Sequence, residues 1–289
     1  MAKFDIYETI VNRILESLEA GIIPWRKPWV GMGGAVAYKT RKPYTLLNQM
    51  LIGEPGEYIT FKQVQDLKGK VKKGAKSKMV VFYTPSTTQK KDKAGNLVYD
   101  NSGNPVMISF PVLKYYRVFN IKDCEGIETK FKPLNPEFQP EEEAERVRKT
   151  YIEREKITFV NDMGDRAFYR PSEDKIVVPK PELFESAEEY YSAAFHEIVH
   201  STGHEKRLNR LSQEASFGNE EYSKEELVAE IGAAAICNKL GIETPDSFKN
   251  STAYIQGWMK RIKEDKKLIV TAAGKADKAV KYIYDEKGE

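Results

Sequence analysis

The sequence predicts an α+β fold in two domains, and three observations carry that expectation. At 289 residues the chain is longer than one domain of ordinary size requires. Its charge changes sign along its length: residues 1–140 hold 22 Lys or Arg against 13 Asp or Glu, a formal +9, and residues 141–289 hold 24 against 30, a formal −6. Between the halves, Lys130-Phe-Lys-Pro-Leu-Asn-Pro-Glu-Phe-Gln-Pro-Glu-Glu-Glu-Ala-Glu145 has three prolines followed by a run of acids, the composition of a linker. The expected boundaries are 1–128 for a basic domain of mixed α and β elements, 129–145 for the linker and 146–289 for an acidic second domain.

Residues 3–20 read as an amphipathic helix, because Ile6, Ile10, Ile14 and Leu18 recur every four positions with Tyr7, Val11 and Leu15 beside them. Gly21 stops it. Pro24 and Pro28 then forbid a regular helix and hold Trp25 and Trp29 in an extended or turn segment. Short helices are expected at 44–52 and 61–67. Strands are expected at Val80–Tyr83 and Val112–Phe119, rich in β-branched and aromatic residues, with Lys91–Asn96 and Asp100–Asn104 as hairpin turns between them. The second half opens with a helix near 140–155, followed by strands at 157–160, 167–169 and 176–178. Ser186 and Glu189 form a capping-box pattern that starts a helix ending near Gly203. Further helices are expected at 224–240, ended by Gly241, at 245–270 and at 276–284.

With 40% hydrophobic residues and a mean hydropathy of −0.57, the chain has apolar side chains enough for cores. It lacks any run approaching the roughly 18 apolar residues of a membrane helix. Met1–Glu8 has no apolar stretch of the secretory type, so a cytoplasmic location is expected. Cys124 and Cys237 form no CxxC pair and read as buried free thiols.

The most specific motif is His196-Glu-Ile-Val-His200, and it lies inside the helix that Ser186 starts. Four helical residues place the two imidazoles about 40° apart on one face, one turn from each other. Both rings can then reach one zinc ion, and Glu197, next to the first ligand, can act as general base on a zinc-bound water. A third ligand is needed. Glu226 and Glu230 share a face of the otherwise apolar helix after Lys224, where buried carboxylates call for a cation or strong hydrogen bonds. Glu226 is the expected ligand and Glu230 the acceptor for a ligand imidazole, with the reverse order as the alternative. His204 competes as third ligand, but the longer pattern HExxHxxGxxH would put that histidine where Lys206 stands. One zinc per chain is expected, with Mn2+ or Co2+ as substitutes. Three protein ligands and a Glu base suit an open catalytic position better than a closed structural one. Tyr190, Tyr191 and His204 are candidates to stabilise an oxyanion, and Ile176-Val-Val-Pro179 is a candidate edge strand for pairing with a peptide.

In the basic half, Lys68–Lys78 is a glycine-interrupted loop carrying Lys72, Lys73 and Lys76. Trp25, Trp29, Tyr38, Tyr44 and Tyr116 are interleaved with Arg26, Lys27, Arg41 and Arg117. Cations along a phosphate backbone, with aromatic faces on which bases stack, are what sequence-tolerant single-strand binding requires. A solvated cationic surface over an aromatic core is the other reading of the same residues.

Several segments together resemble the plasmid-borne ArdC antirestriction proteins, whose N-terminal part is shared with TraC-type conjugative primases. They are Gly21-Ile-Ile-Pro-Trp25 through Trp29, Tyr44-Thr-Leu-Leu-Asn48, Phe61-Lys-Gln-Val64 with Val71–Lys76, Phe82-Tyr83, Tyr116-Arg-Val-Phe-Asn120, His196–His200 and Glu225–Ala235. The resemblance covers nearly the whole chain. It implies a single-stranded-DNA-binding N-terminal domain, to which Asn48 is added as a contact, and a C-terminal zincin-like metallopeptidase domain in which Glu226 is the ligand. The implied role is protection of incoming conjugative plasmid DNA from host restriction. A DNA-recruited zinc protease acting on an unidentified peptide or protein, and a pure DNA-shielding protein with structural zinc, are the alternatives.

Overall fold

The computed structural model describes residues 5–25, 34–130, 140–211, 220–242 and 252–286. Helix α1 (Ile6–Glu19) starts where the Asp5 carboxylate accepts from the backbone N–H groups of Tyr7, at 2.9 Å, and Glu8, at 3.2 Å. Its Ile10, Val11, Ile14, Leu15 and Leu18 are buried, as their spacing predicts. Strand β1 (Ala35–Ala37), helix α2 (Leu46–Ile52), strand β2 (Gly56–Thr60) and helix α3 (Phe61–Asp66) follow. Gly53, at φ 75°, ends α2, and a reciprocal capping box between Thr60 and Gln63 starts α3.

Next come β3 (Lys70–Val71), β4 (Lys78–Gln89), β5 (Met107–Asn120) and β6 (Cys124–Glu125). The main sheet has the order β1-β2-β5-β4, with β1 parallel to β2 and the other pairs antiparallel. The strands expected at 80–83 and 112–119 are the inner parts of a longer hairpin, paired from Lys78↔Val118 to Gln89↔Met107. The two turns beyond it are built alike. Asp92 and Asp100 each accept from the backbone N–H four residues on, with Gly95 and Gly103 at positive φ between.

The second half holds α4 (Pro140–Glu155), β7 (Thr158–Asp162), β8 (Phe168–Arg170), β9 (Lys175–Pro179), α5 (Ala187–Ser201), α6 (Glu220–Lys239), α7 (Thr252–Glu264) and α8 (Leu268–Ile283). Three expectations need correction. Helix α4 begins at Pro140, so the last residues of the 129–145 stretch are helical. Thr129 and the backbone N–H of Lys130 are tied to the Glu57 carboxylate at 2.7 and 2.9 Å. Ile176 and Val177 are not at an edge, because β9 lies between β7 and β8 there, while Val178 and Pro179 pair with β7 alone. The consecutive buried Ile176, Val177 and Val178 of β9 are the continuous apolar run of a central strand. Finally, the helix expected over 245–270 is broken. Asp265 accepts from Lys267 and Leu268 after α7 ends, and α8 begins at Leu268, well before the expected 276.

The two halves share one apolar core. A continuous buried cluster joins Ile10, Ile14, Leu51, Met79 and Leu113 to Phe195, Ile231, Ile262 and Ile269. Trp25 meets Trp258 edge-on at 6.3 Å, and Leu46 N–H donates to Asp277 at 3.4 Å. Cys124 and Cys237 are both buried, and neither is in a disulfide. Among the described residues no helix is long and apolar enough to cross a membrane.

Candidate functional site

The site is built where α5 crosses α6. Ser186 caps α5, its hydroxyl accepting from Glu189 N–H at 3.3 Å. The Glu189 carboxylate reaches back one residue further than a reciprocal box requires, to Glu185 N–H at 3.2 Å. Helix α6 is buried almost all round, with Leu227, Val228, Ala229, Ile231, Ile236 and Cys237 at 2% exposure or less. The two helices approach closely at Gly232, where an added Cβ would lie 2.9 Å from both methyls of Val199. Val199 precedes His200, so this glycine sets how near the two ligand-bearing helices come.

His196, His200 and Glu226 converge there, each half-buried. The Nε2 atoms of the two histidines are 3.1 Å apart; Glu226 Oε2 is 3.6 Å from that of His196, and Oε1 is 3.3 Å from that of His200. Four donors about 2.0–2.1 Å from a tetrahedral zinc lie about 3.3–3.4 Å from one another. The triangle therefore has the size of one tetrahedral face, and its two imidazoles and carboxylate suit a divalent transition metal. Glu197, 7% exposed, is the neighbour of His196, and among the described residues no hydrogen bond engages its carboxylate.

Electrostatics at the triangle favour positive charge. Burial works against a charged His200, but hydrogen bonds to Glu225 and Glu226 and the Glu197 charge carry it up to about 10. Burial likewise works against a Glu226 carboxylate, yet the two histidines hold it well below the usual range. Such a cluster of carboxylates around imidazole nitrogens accepts either protons or a metal cation.

Other expected roles fall out differently. Glu230 is buried on α6, but the carboxylate at the far nitrogen of His200 is Glu225, whose Oε1 is 3.4 Å from Nδ1. His204 stands apart from the triangle, its Nδ1 accepting from Lys206 N–H at 3.1 Å. Tyr190 OH lies 3.3 Å from the Asn161 side-chain amide, and Tyr191 OH points to Glu145 at 3.5 Å. Arg210, for which the sequence carried no local signal, donates to Glu225 from Nε at 3.0 Å and from Nη2 at 3.0 Å.

The residues expected to contact DNA divide into three groups. Arg26, Lys27 and Trp29 lie outside the described residues. Trp25, Tyr38 and Asn48 are at 3, 7 and 4% exposure and serve the fold. Trp25 packs on Trp258, Tyr38 OH donates to Glu128 O at 3.1 Å, and the Asn48 amide bonds both backbone groups of Val81 at 2.7 and 2.8 Å. None of the three presents a free face or edge to a base. Arg41, at φ 61°, forms an ion pair with the buried Glu57, and Lys72 Nζ donates to Lys122 O at 2.8 Å. Lys73, Lys76, Tyr116 and Arg117 are exposed, and Tyr44 is half-buried, edge-on to Tyr58 at 6.5 Å. Strand alternation turns Tyr116 and Arg117 to opposite faces. Tyr116 stacks on Phe82 at 4.5 Å with the rings 5° from parallel, and Lys114 stands opposite Phe82 in the register. Arg117 instead lies on the face of α1; burial and the Arg117 charge together hold Arg13 below its ordinary value.

Two family profiles match the chain. Residues 4–119 match the N-terminal domain of anti-restriction factor ArdC, and residues 145–275 match a zincin-like metallopeptidase. A DNA primase TraC of Escherichia coli is 33% identical over 295 residues, or 97% of this chain. The chain spans only 20% and 27% of the length of two such primases. The crystal structure of antirestriction ArdC protein from the R388 plasmid, in its Mn(II)-bound form, is 30% identical with a TM-score of 0.73. Its metal-free form is 31% identical with a TM-score of 0.74, and each comparison covers 98% of both chains. With an ArdC-type N-terminal domain, a zincin-like C-terminal domain and this likeness along nearly its full length, the chain belongs to the ArdC family of antirestriction proteins.

Proposed function

We propose that the protein binds single-stranded DNA through its basic half, protects incoming conjugative plasmid DNA from restriction, and carries a zinc-dependent peptidase-type centre at His196, His200 and Glu226. The observation that carries the metal reading is the 3.1–3.6 Å triangle of donor atoms. Zinc is the expected ion; manganese, bound by the R388 relative, is the expected substitute. When bound, the ion would polarise a carbonyl and acidify a water. His196 and His200 would each give it a ring nitrogen, and Glu226 a carboxylate oxygen. Glu197, buried beside His196, would take the proton of the attacking water.

Glu197→Gln is expected to lower hydrolysis of a peptide library by about 10²–10⁴-fold while leaving zinc and DNA binding at wild-type levels. Protection of plasmid DNA kept in that variant assigns protection to the DNA-binding half. Protection lost with hydrolysis assigns it to proteolysis, and hydrolysis unchanged contradicts the role of Glu197.

For DNA, the Phe82–Tyr116 stack supports the reading, because it combines an exposed aromatic face with Lys114 on the same side of the hairpin. Tyr116→Ala is expected to weaken binding of a single-stranded oligonucleotide by about 1–3 kcal/mol, the worth of one stacked base. Fluorescence anisotropy at fixed salt measures it. Unchanged affinity would remove this face from the interface.

A further inference from the structure

The segment that leaves α5 folds back beneath the helix end. Arg210 N–H and Leu211 N–H both donate to Gly203 O, at 2.9 and 3.0 Å, and bring the Arg210 side chain between the two ligand-bearing helices. There its side chain is 6% exposed and each of its three nitrogens donates. Nη1 donates to Thr202 Oγ1 at 2.6 Å, and Nη2 donates to the carbonyl of Val199, the residue before ligand His200. Nε and Nη2 fork onto the Glu225 carboxylate, the residue before ligand Glu226. Glu225 Oε1 in turn faces His200 Nδ1 at 3.4 Å.

Two consequences follow from this wiring. A carboxylate facing Nδ1 fixes the His200 ring so that Nε2 is the nitrogen turned toward His196 and Glu226. A planar fork that grips the end of α5 and the start of α6 together also fixes the separation between His200 and Glu226. We propose that Arg210 is a positioning residue for the metal centre, acting through Glu225 on the orientation of His200 and the placement of Glu226. The inference rests on the metal reading of the His196–His200–Glu226 triangle.

A neighbouring arginine supplies the control. Arg207 braces the same segment from the opposite side, through Asp174, Tyr169 OH at 3.1 Å and Ser201 O at 2.7 Å, without touching Glu225. Loosening that brace with Tyr169→Phe weakens the segment but leaves the wiring to His200 in place.

The test is zinc affinity by competition with a chromophoric chelator, together with the cobalt(II) ligand-field spectrum, on the full chain. Arg210→Gln and Glu225→Gln are each expected to lower zinc affinity about 10–100-fold and to shift the cobalt bands. The double variant should lose little more than either alone, as two members of one chain of contacts do. Arg210→Lys, which keeps the charge without the fork and guards against an unfolded glutamine variant, should fall between. Tyr169→Phe should melt at a lower temperature with wild-type zinc affinity and spectrum. Wild-type affinity and spectrum in Arg210→Gln or Arg210→Lys, additive losses in the double variant, or an equal affinity loss in Tyr169→Phe would each overturn the proposal. Failure of the wild-type chain to bind zinc or cobalt would instead overturn the metal reading beneath it.

Discussion

Glu226→Ala is expected to lower zinc affinity by more than about 100-fold, beyond the 10–100-fold that loss of an outer partner costs. Its carboxylate supplies one of the three donors of the triangle, at 3.3 Å from His200 and 3.6 Å from His196. Two imidazoles one helical turn apart remain, which hold a metal in one plane without a third donor to close a face. Glu225 cannot replace it, since Arg210 and His200 already engage both of its oxygens. Chelator competition measures the loss, and an affinity within tenfold of wild type would remove Glu226 from the ligand set.

The largest effect on stability is expected at Asp174→Asn. The Arg207 side chain is 2% exposed and paired with Asp174, whose Oδ1 also accepts from Tyr169 OH at 2.7 Å. The asparagine keeps the shape and removes the charge, leaving a buried guanidinium uncompensated, which costs about 3–5 kcal/mol. Urea unfolding of both proteins gives the difference. Its pH dependence has a definite sign. Burial pushes the Asp174 carboxyl up, but hydrogen bonds from Arg207 and Tyr169 and the Arg207 charge outweigh it and hold the group below its ordinary value. A carboxylate lowered on folding stabilises the native state above the unfolded pKa, about 3.9, and that contribution fades as pH falls through the lower folded value. The gap between wild type and variant should therefore be constant near neutrality and narrow below about pH 4. A gap that widens in acid would contradict the assignment.

How far the sequence reveals this site depends on how local each signal is. The pairing of His196 with His200 is a matter of helical period, whereas Glu226 and Glu230 both read as charges in an apolar helix, so the third donor was narrowed to two carboxylates with Glu226 preferred. Glu225 was visible as a carboxylate but not as the partner of His200, because its side chain lies one position round the helix and its role is set by Arg210 from another segment. Burial of aromatics was the least legible property. Trp25, flanked by prolines and next to Arg26 and Lys27, has the composition of an exposed binding segment, yet it packs against Trp258 far along the chain. Asn48 reads as a polar contact, but it is the side chain that ties α2 to the backbone of β4. Tyr116 and Arg117 are neighbours in sequence and face opposite ways in the hairpin, so composition alone joins two residues that the strand separates. The linker was read from prolines and acids, and those acids form the first turn of α4, where negative charge favours a helix N-terminus.

The central claim is that His196, His200 and Glu226 hold one divalent metal. Elemental analysis of the full chain, equilibrated with zinc and freed of excess, tests it most directly when Glu226→Ala and Glu230→Ala are treated in parallel. One zinc per chain in the wild type, lost in Glu226→Ala and kept in Glu230→Ala, is the predicted result. Neither zinc nor manganese retained by the wild type, or zinc lost with Glu230 rather than Glu226, would contradict it.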